Sequence, residues 1–308
     1  MSDGRDLSDT PGALQSGADA AGAAAMVLDT EIADDAVTKK LGVGFWIAIG
    51  WLGALVATAV LAPFLPFADP DQLAAGPART GPSADNWFGT DALGRDVFAR
   101  TVYGARVSLV VGFIAIGFGM VVGGSLGMIA GYFRGRVDQL ISFVFFSLLS
   151  FPGLILALLI TSTFDRTLRT VSLTLGVLAV APVGRLARAS TLVFAEREFV
   201  QAARVIGAKH FRILTRELLP VVLIPMAALA LLGMGVAIVA EGGLAFLQLS
   251  VEDISWGVII NDGRGIRDLQ SNPHVALIPI GVMFLTILAL NFAGDRVREY
   301  FDVRETAF

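Results

Sequence analysis

The residues with chemical potential are few. The 308-residue chain has two histidines, His210 and His274, and no cysteine. The topology read below puts the histidines on opposite sides, which excludes a histidine cluster, a thiolate metal site and a disulfide framework. Asp91 and Asp96 have a spacing suited to paired acid/base work, but no nucleophile or electrophile accompanies them. The run GTDALGRD that contains them lacks the glycine order of a nucleotide fingerprint, and neither a Gly-Lys-Ser/Thr loop nor His-Glu-x-x-His occurs. The sequence therefore assigns no catalytic residue, no metal ligand and no cofactor.

The chemistry left is recognition. Arg197 to Pro220 (REFVQAARVIGAKHFRILTRELLP) is a polar, helix-forming stretch held between two long apolar runs. Phe199, Ala203, Ile206, His210/Phe211, Leu214 and Leu218 recur at steps of three and four, which puts them on one helical face. The five basic residues, from Arg197 to Arg216, favour the cytoplasmic side of a membrane. Gly207 interrupts the pattern, so the spacing predicts two short helices, 197–206 and 210–217, joined at Gly207-Ala208. Ala202 and Ala203 leave room for a partner surface. By residues alone, an ordinary helical cytoplasmic loop is the favoured reading.

The elements that must position this stretch are membrane spans. Hydrophobic residues make up 55% of the chain and charged ones only 16%, against about 25% charged in soluble domains. The net charge of −4 says little, because the acids crowd into the N-terminal tail. Residues 1–41 are rich in Ala, Gly, Ser and Asp and are expected to be disordered. Spans are expected at Leu41–Phe64, Val107–Tyr132, Leu140–Ser162 (kinked at Pro152), Thr170–Gly184 (extended by Leu186 and Ala187), Leu218–Ala240 and Val275–Ala293, apolar runs suited to about 30 Å of hydrocarbon. Gly123, Gly127 and Gly131 form small-xxx-small pairs that let another helix approach. Between the first two spans, residues 67–106 form an external loop with a short interfacial helix, Ala92 to Tyr103, capped by Thr90 or Asp91. Glu241 lies either at the outer interface, the favoured reading, or against a watery cavity. A short apolar helix is expected at Leu244–Leu249. The tail 296–308 is charged and short. Lys39, Lys40 and the basic excess of the inner loops put both termini inside.

Four stretches resemble a known family. QAARVIG, nine residues and then ELLP is similar to the EAA loop of permease subunits of binding-protein-dependent ABC importers. WFGTDALGRDVFARTVYGARVSL, SWGVIINDGR and NFAGDRVREYFDVR are similar to the C-type permease of dipeptide, oligopeptide and nickel importers. The resemblance runs from about residue 42 to 304. Gln201 replaces the motif's leading acid, GLAFLQLS stands where the family has LSFLGLG, and Val303 replaces a usual proline. The resemblance implies an all-α type I importer permease: a first transmembrane helix (42–66), a core (107–295) and a cytoplasmic coupling segment (197–220). It implies that Glu198, Phe199, Gln201, Ala202, Ala203, Arg204, Gly207, Ala208 and Phe211 seat on a cytosolic ATPase, helix in groove. It also implies that Gly89, Thr90, Asp91, Gly94, Arg95 and Asp96 form an external motif. The implied partners are a second permease subunit, two ATPase subunits or one fused ATPase that bind ATP and Mg, an extracytoplasmic binding protein and lipid, with no nucleic acid. The implied location is the bacterial inner membrane and the implied cargo is peptide. Nickel is disfavoured by the scarcity of soft ligands. A self-contained channel or secondary transporter is the competing reading, opposed by the near absence of charge inside the spans.

Overall fold

The computed structural model describes residues 42–64, 69–73 and 76–306, so the N-terminal tail expected to be disordered lies outside the described residues. Helix α1 (Gly42–Leu61) ends in a 3-10 turn, Ala62–Phe64. Helix α2 (Val97–Phe118) runs through a π-turn (Gly119–Gly123) into α3 (Gly124–Phe133), one span of 37 residues. The separate interfacial helix expected from Ala92 is absent. The helix starts at Val97, and its cap is Asp96, whose carboxylate accepts the Phe98 amide at 2.8 Å, instead of Thr90 or Asp91. No proline lies between Val97 and Phe133, so nothing stops the helix at the membrane edge.

The third span is broken, not merely kinked. Helices α4 (Gly135–Ser150) and α5 (Gly153–Thr163) meet at 84°. Phe151, which precedes Pro152, is extended (φ −87°, ψ 133°), because the proline ring disfavours helical backbone at the residue before it. Helix α6 (Leu168–Phe194) is capped by Thr167, which accepts the Thr170 amide. It outruns the expected end, extended to Ala187, by about two turns.

Helix α7 (Glu198–Val205) is followed by α8 (His210–Arg212), a π-turn (Ile213–Leu218) and α9 (Leu219–Phe246). The second short helix predicted at 210–217 is therefore the start of the fifth span, a continuous 37-residue run from His210 to Phe246. The helix expected at Leu244–Leu249 is the end of α9, and the chain turns away at Gln248 (φ 60°). Helices α10 (Trp256–Asp262) and α11 (Ile266–Ser271) lie on the loop that follows. Helix α12 (His274–Thr306) takes in the charged tail as far as the described residues reach. Among the described residues five helices are long and apolar enough to cross a membrane, six with the bent pair counted as one span. Among the described residues there is no strand, only an isolated bridge between Thr90 and Asp96.

The centre of the bundle is the contact of α3 and its π-turn with α6. A Cβ added at Gly123, Gly127 or Gly131 would lie 2.3, 2.1 or 2.7 Å from the carbonyl oxygens of Val180, Gly184 and Arg188. Both helices advance four residues per contact in the same direction, so they run parallel, backbone against backbone. The small-residue spacing in the sequence predicts this approach.

Candidate functional site

The segment 198–218 forms a knuckle at one end of the bundle. Gly207 sits at φ +87°, backbone that costs an L side chain roughly 1–2 kcal/mol. Its amide bonds the Arg204 carbonyl, and the Ala208 amide bonds that of Ala203, which closes the end of α7. This reversal overturns the single apolar face expected across the segment, because a 3.6-residue period does not carry through a left-handed residue. Val200, Ile213 and Leu218 are fully buried, with Ala203, Ala208 and Leu214 packed against them. Phe199, Ile206 and Phe211 point outward with Val205; Val205 and Ile206 are 88% and 86% exposed and Phe211 is 77% exposed.

Glu198, Gln201, Ala202, Arg204 and Gly207 share that exposed surface. Gln201 donates to the Glu196 carbonyl at 2.9 Å, inside the chain. Two residues that sequence reading did not assign anchor the knuckle. The Tyr132 hydroxyl at the end of α3 lies 2.8 Å from His210 Nδ1, and the Arg204 guanidinium stacks 5.3 Å from the Tyr132 ring centre. No spacing in the sequence joins Tyr132 to a segment some seventy residues later.

At the opposite end of the bundle the motif 89–96 is folded around Asp91. Asp91 accepts the amides of Leu93 and Arg95 at 2.8 and 3.0 Å, Arg95 Nε at 2.6 Å and Arg100 at 2.8 Å. Arg95 and Arg100 both also reach Asp262 at 3.0 Å. Burial alone would push the Asp91 carboxyl up, but the Arg95 and Leu93 amides and the Arg95 side chain hold it below the ordinary carboxylate range. Thr90 is fully buried and donates to the Pro77 carbonyl at 2.6 Å, while Gly89 and Gly94 close turns onto Asn86 and Asp91. Asp96 caps α2. Neither Asp91 nor Asp96 is thus free for acid/base work. Arg79 bonds Asp268 at 2.6 Å and ties the loop to α11. Arg100 and Asp262, absent from the sequence assignment, complete the network, and Arg100 follows Asp91 by nine residues in the same motif.

Glu241 corrects another expectation. It does not face a watery cavity but is fully buried within α9. Its Oε1 accepts the hydroxyls of Ser250 and Ser255, the latter at 2.6 Å. Ser255 in turn caps α10 by accepting the Val258 amide at 3.2 Å. Among the described residues no group of three or more His, Cys, Asp or Glu could hold a metal ion.

The chain is similar to known transport permeases. Residues 123–306 match the family model for the binding-protein-dependent transport system inner membrane component. The dipeptide transport system permease protein DppC of Alkalihalophilus pseudofirmus is 37% identical over 251 residues, 81% of this chain and 82% of the relative. The glutathione transport system permease protein GsiD of Pectobacterium atrosepticum is 34% identical over 224 residues, 72% of this chain and 74% of the relative. An inward-facing structure of the MetNI methionine ABC transporter shares the fold, with a TM-score of 0.54, 20% sequence identity and coverage of 66% of this chain and 96% of that one. With its helical spans and family match, the chain is a multi-pass membrane protein and belongs to the binding-protein-dependent transport system inner membrane components, the permease subunits of ABC importers.

Proposed function

We propose that this chain forms half of the translocation pathway of an ATP-driven peptide importer and that the knuckle at Gly207 docks on a cytosolic ATPase subunit. The observation that carries the reading is the bare apolar surface of Val205, Ile206 and Phe211, displayed on a segment whose other side is sealed into the bundle by Val200, Ile213 and Leu218. Large apolar side chains at such exposure on a basic, otherwise polar segment fit a helix-in-groove contact. Glu198, Phe199, Gln201, Ala202, Ala203, Arg204, Gly207, Ala208 and Phe211 are the proposed contact set. His210 begins the fifth span, so a displacement of the knuckle is passed to α9 without an intervening loop.

In this reading the knuckle and both termini are cytoplasmic and the Asp91 network faces outward, toward an extracytoplasmic binding protein. A second permease completes the pathway. ATP and Mg are bound by the ATPase partners, while this chain has no catalytic role and binds no cofactor. Peptide is the proposed cargo because DppC and GsiD are named for dipeptide and glutathione transport. The test is Gly207→Val in the reconstituted complex. Peptide uptake should fall at least tenfold with the protein at normal abundance in the membrane; undiminished uptake would sink the assignment of the knuckle.

A further inference from the structure

We propose that the cavity at the end of the bundle opposite the knuckle binds the two charged ends of a short peptide, Arg106 taking the carboxylate and Asp71 with Asp253 the ammonium group. The inference rests on the peptide reading above and adds a site on this chain. The cavity has a volume of about 550 Å³ and lies between the Tyr103–Val110 stretch of α2, the start of α6, Pro70 with Asp71, and the arc 252–254, within the roughly 300–1,000 Å³ common for small-molecule sites.

Arg106, Asp71 and Asp253 are exposed. Among the described residues their side chains make no hydrogen bond or ion pair, with one another or with anything else. Glu252 is different: the Arg166 guanidinium approaches its carboxylate at 3.9 Å, and the Arg166 carbonyl accepts its amide. Unpaired charges of opposite sign on separate walls of one void complement a ligand that carries both charges itself.

Two of the walls, the arc and α2, are held to each other. Glu241 clasps both ends of the arc through Ser250 and Ser255. The next residue, Trp256, donates its amide to Ser108 at 3.1 Å and its indole N–H to the Thr101 carbonyl at 2.9 Å, which fixes the arc to the stretch of α2 that bears Arg106. The arc and this stretch of α2 are thus positioned before the ligand arrives, which lessens the ordering that binding requires. Leu168 at the cavity and Leu175, Ala179 and Pro182 of an apolar cleft of about 290 Å³ share one face of α6. The charged mouth and the cleft therefore lie along one helix.

The chain has no cysteine, so a single Val110→Cys, lining the cavity one turn beyond Arg106, gives one thiol to follow. In the complete transporter in proteoliposomes, labelling of this chain by a maleimide is read by intact mass, alongside uptake of dialanine by the unmodified complex. Dialanine should slow labelling roughly tenfold at ten times its half-protecting concentration. The uncharged N-acetylalanine amide should not, and Arg106→Gln should abolish the protection. Val107→Cys serves if the first variant fails to assemble. Uptake of dialanine with no protection overturns the site and leaves the peptide reading standing. Protection without uptake supports the site and removes peptide as cargo; neither uptake nor protection removes both.

Discussion

A Cβ on Gly127 would lie 2.1 Å from the carbonyl oxygen of Gly184, so α3 and α6 touch through their backbones. What stands in the way is main chain, which cannot rotate aside. Gly127→Ala should therefore destabilise the protein by about 1–3 kcal/mol, the range for overpacking a filled interior. A Cβ on Gly117, in the same span, would meet no atom within 4 Å, and Gly117→Ala should raise stability by up to about 1 kcal/mol through helix propensity alone. Thermal unfolding in detergent should give shifts of opposite sign; shifts of the same sign would contradict the packing.

Tyr132→Phe removes the hydroxyl that meets His210 Nδ1 and keeps the ring under Arg204. The loss in stability should be about 1 kcal/mol, too little to unfold the protein. If the bond holds the knuckle to α3, peptide uptake per ATP hydrolysed should fall several-fold while ATP hydrolysis continues. An unchanged ratio would leave the bond a local ornament of the fold.

Phe211→Ser and Ile206→Ser change side chains that the isolated chain leaves in solvent, so thermal stability should hardly move. Anchors of this kind typically carry about 2 kcal/mol of an interface, roughly thirtyfold in affinity. Retention of ATPase subunits during purification should fall accordingly. Full retention in the double variant would place the docking surface elsewhere.

Asp91→Asn leaves Arg100, 2% exposed in its side chain, with its charge uncompensated at that contact. Removing one partner of a buried pair costs about 3–5 kcal/mol. The same pair sets a pH dependence. The Asp91 carboxyl is held below its ordinary range when folded, so its contribution is complete above the unfolded value of about 3.9 and is lost as pH falls below that through the lowered folded value. The wild type should lose stability more steeply than Asp91→Asn on titration below about pH 4, as read by tryptophan fluorescence.

Glu241→Leu strands the hydroxyls of Ser250 and Ser255 in a buried site, at about 1–3 kcal/mol. Glu241→Gln retains one oxygen acceptor and should recover most of the loss. Proteolysis of the 247–255 arc in detergent should quicken in the first variant and stay near wild type in the second.

The sequence by itself determined the apolar spans, the close approach of Gly123, Gly127 and Gly131, the interruption at Gly207 and the family. These follow from local composition, from side-chain size at fixed spacing and from motif order, none of which needs a partner surface. Where it misplaced an element, interactions within the same segment had won. Asp91 could not cap a helix once Arg95 and Arg100 held its carboxylate, and the predicted apolar stripe of the knuckle split because a left-handed residue turned its two halves apart. Only the tertiary structure decided that Glu241 is buried and clasps the Ser250–Ser255 arc, that Tyr132 meets His210, and that Asp262 closes the network with Arg95 and Arg100. For the last two the physical reason is the same. A hydrogen bond or ion pair between groups distant in the chain exists only after the helices between them have packed, and no periodicity along the chain encodes which polar groups will then face one another.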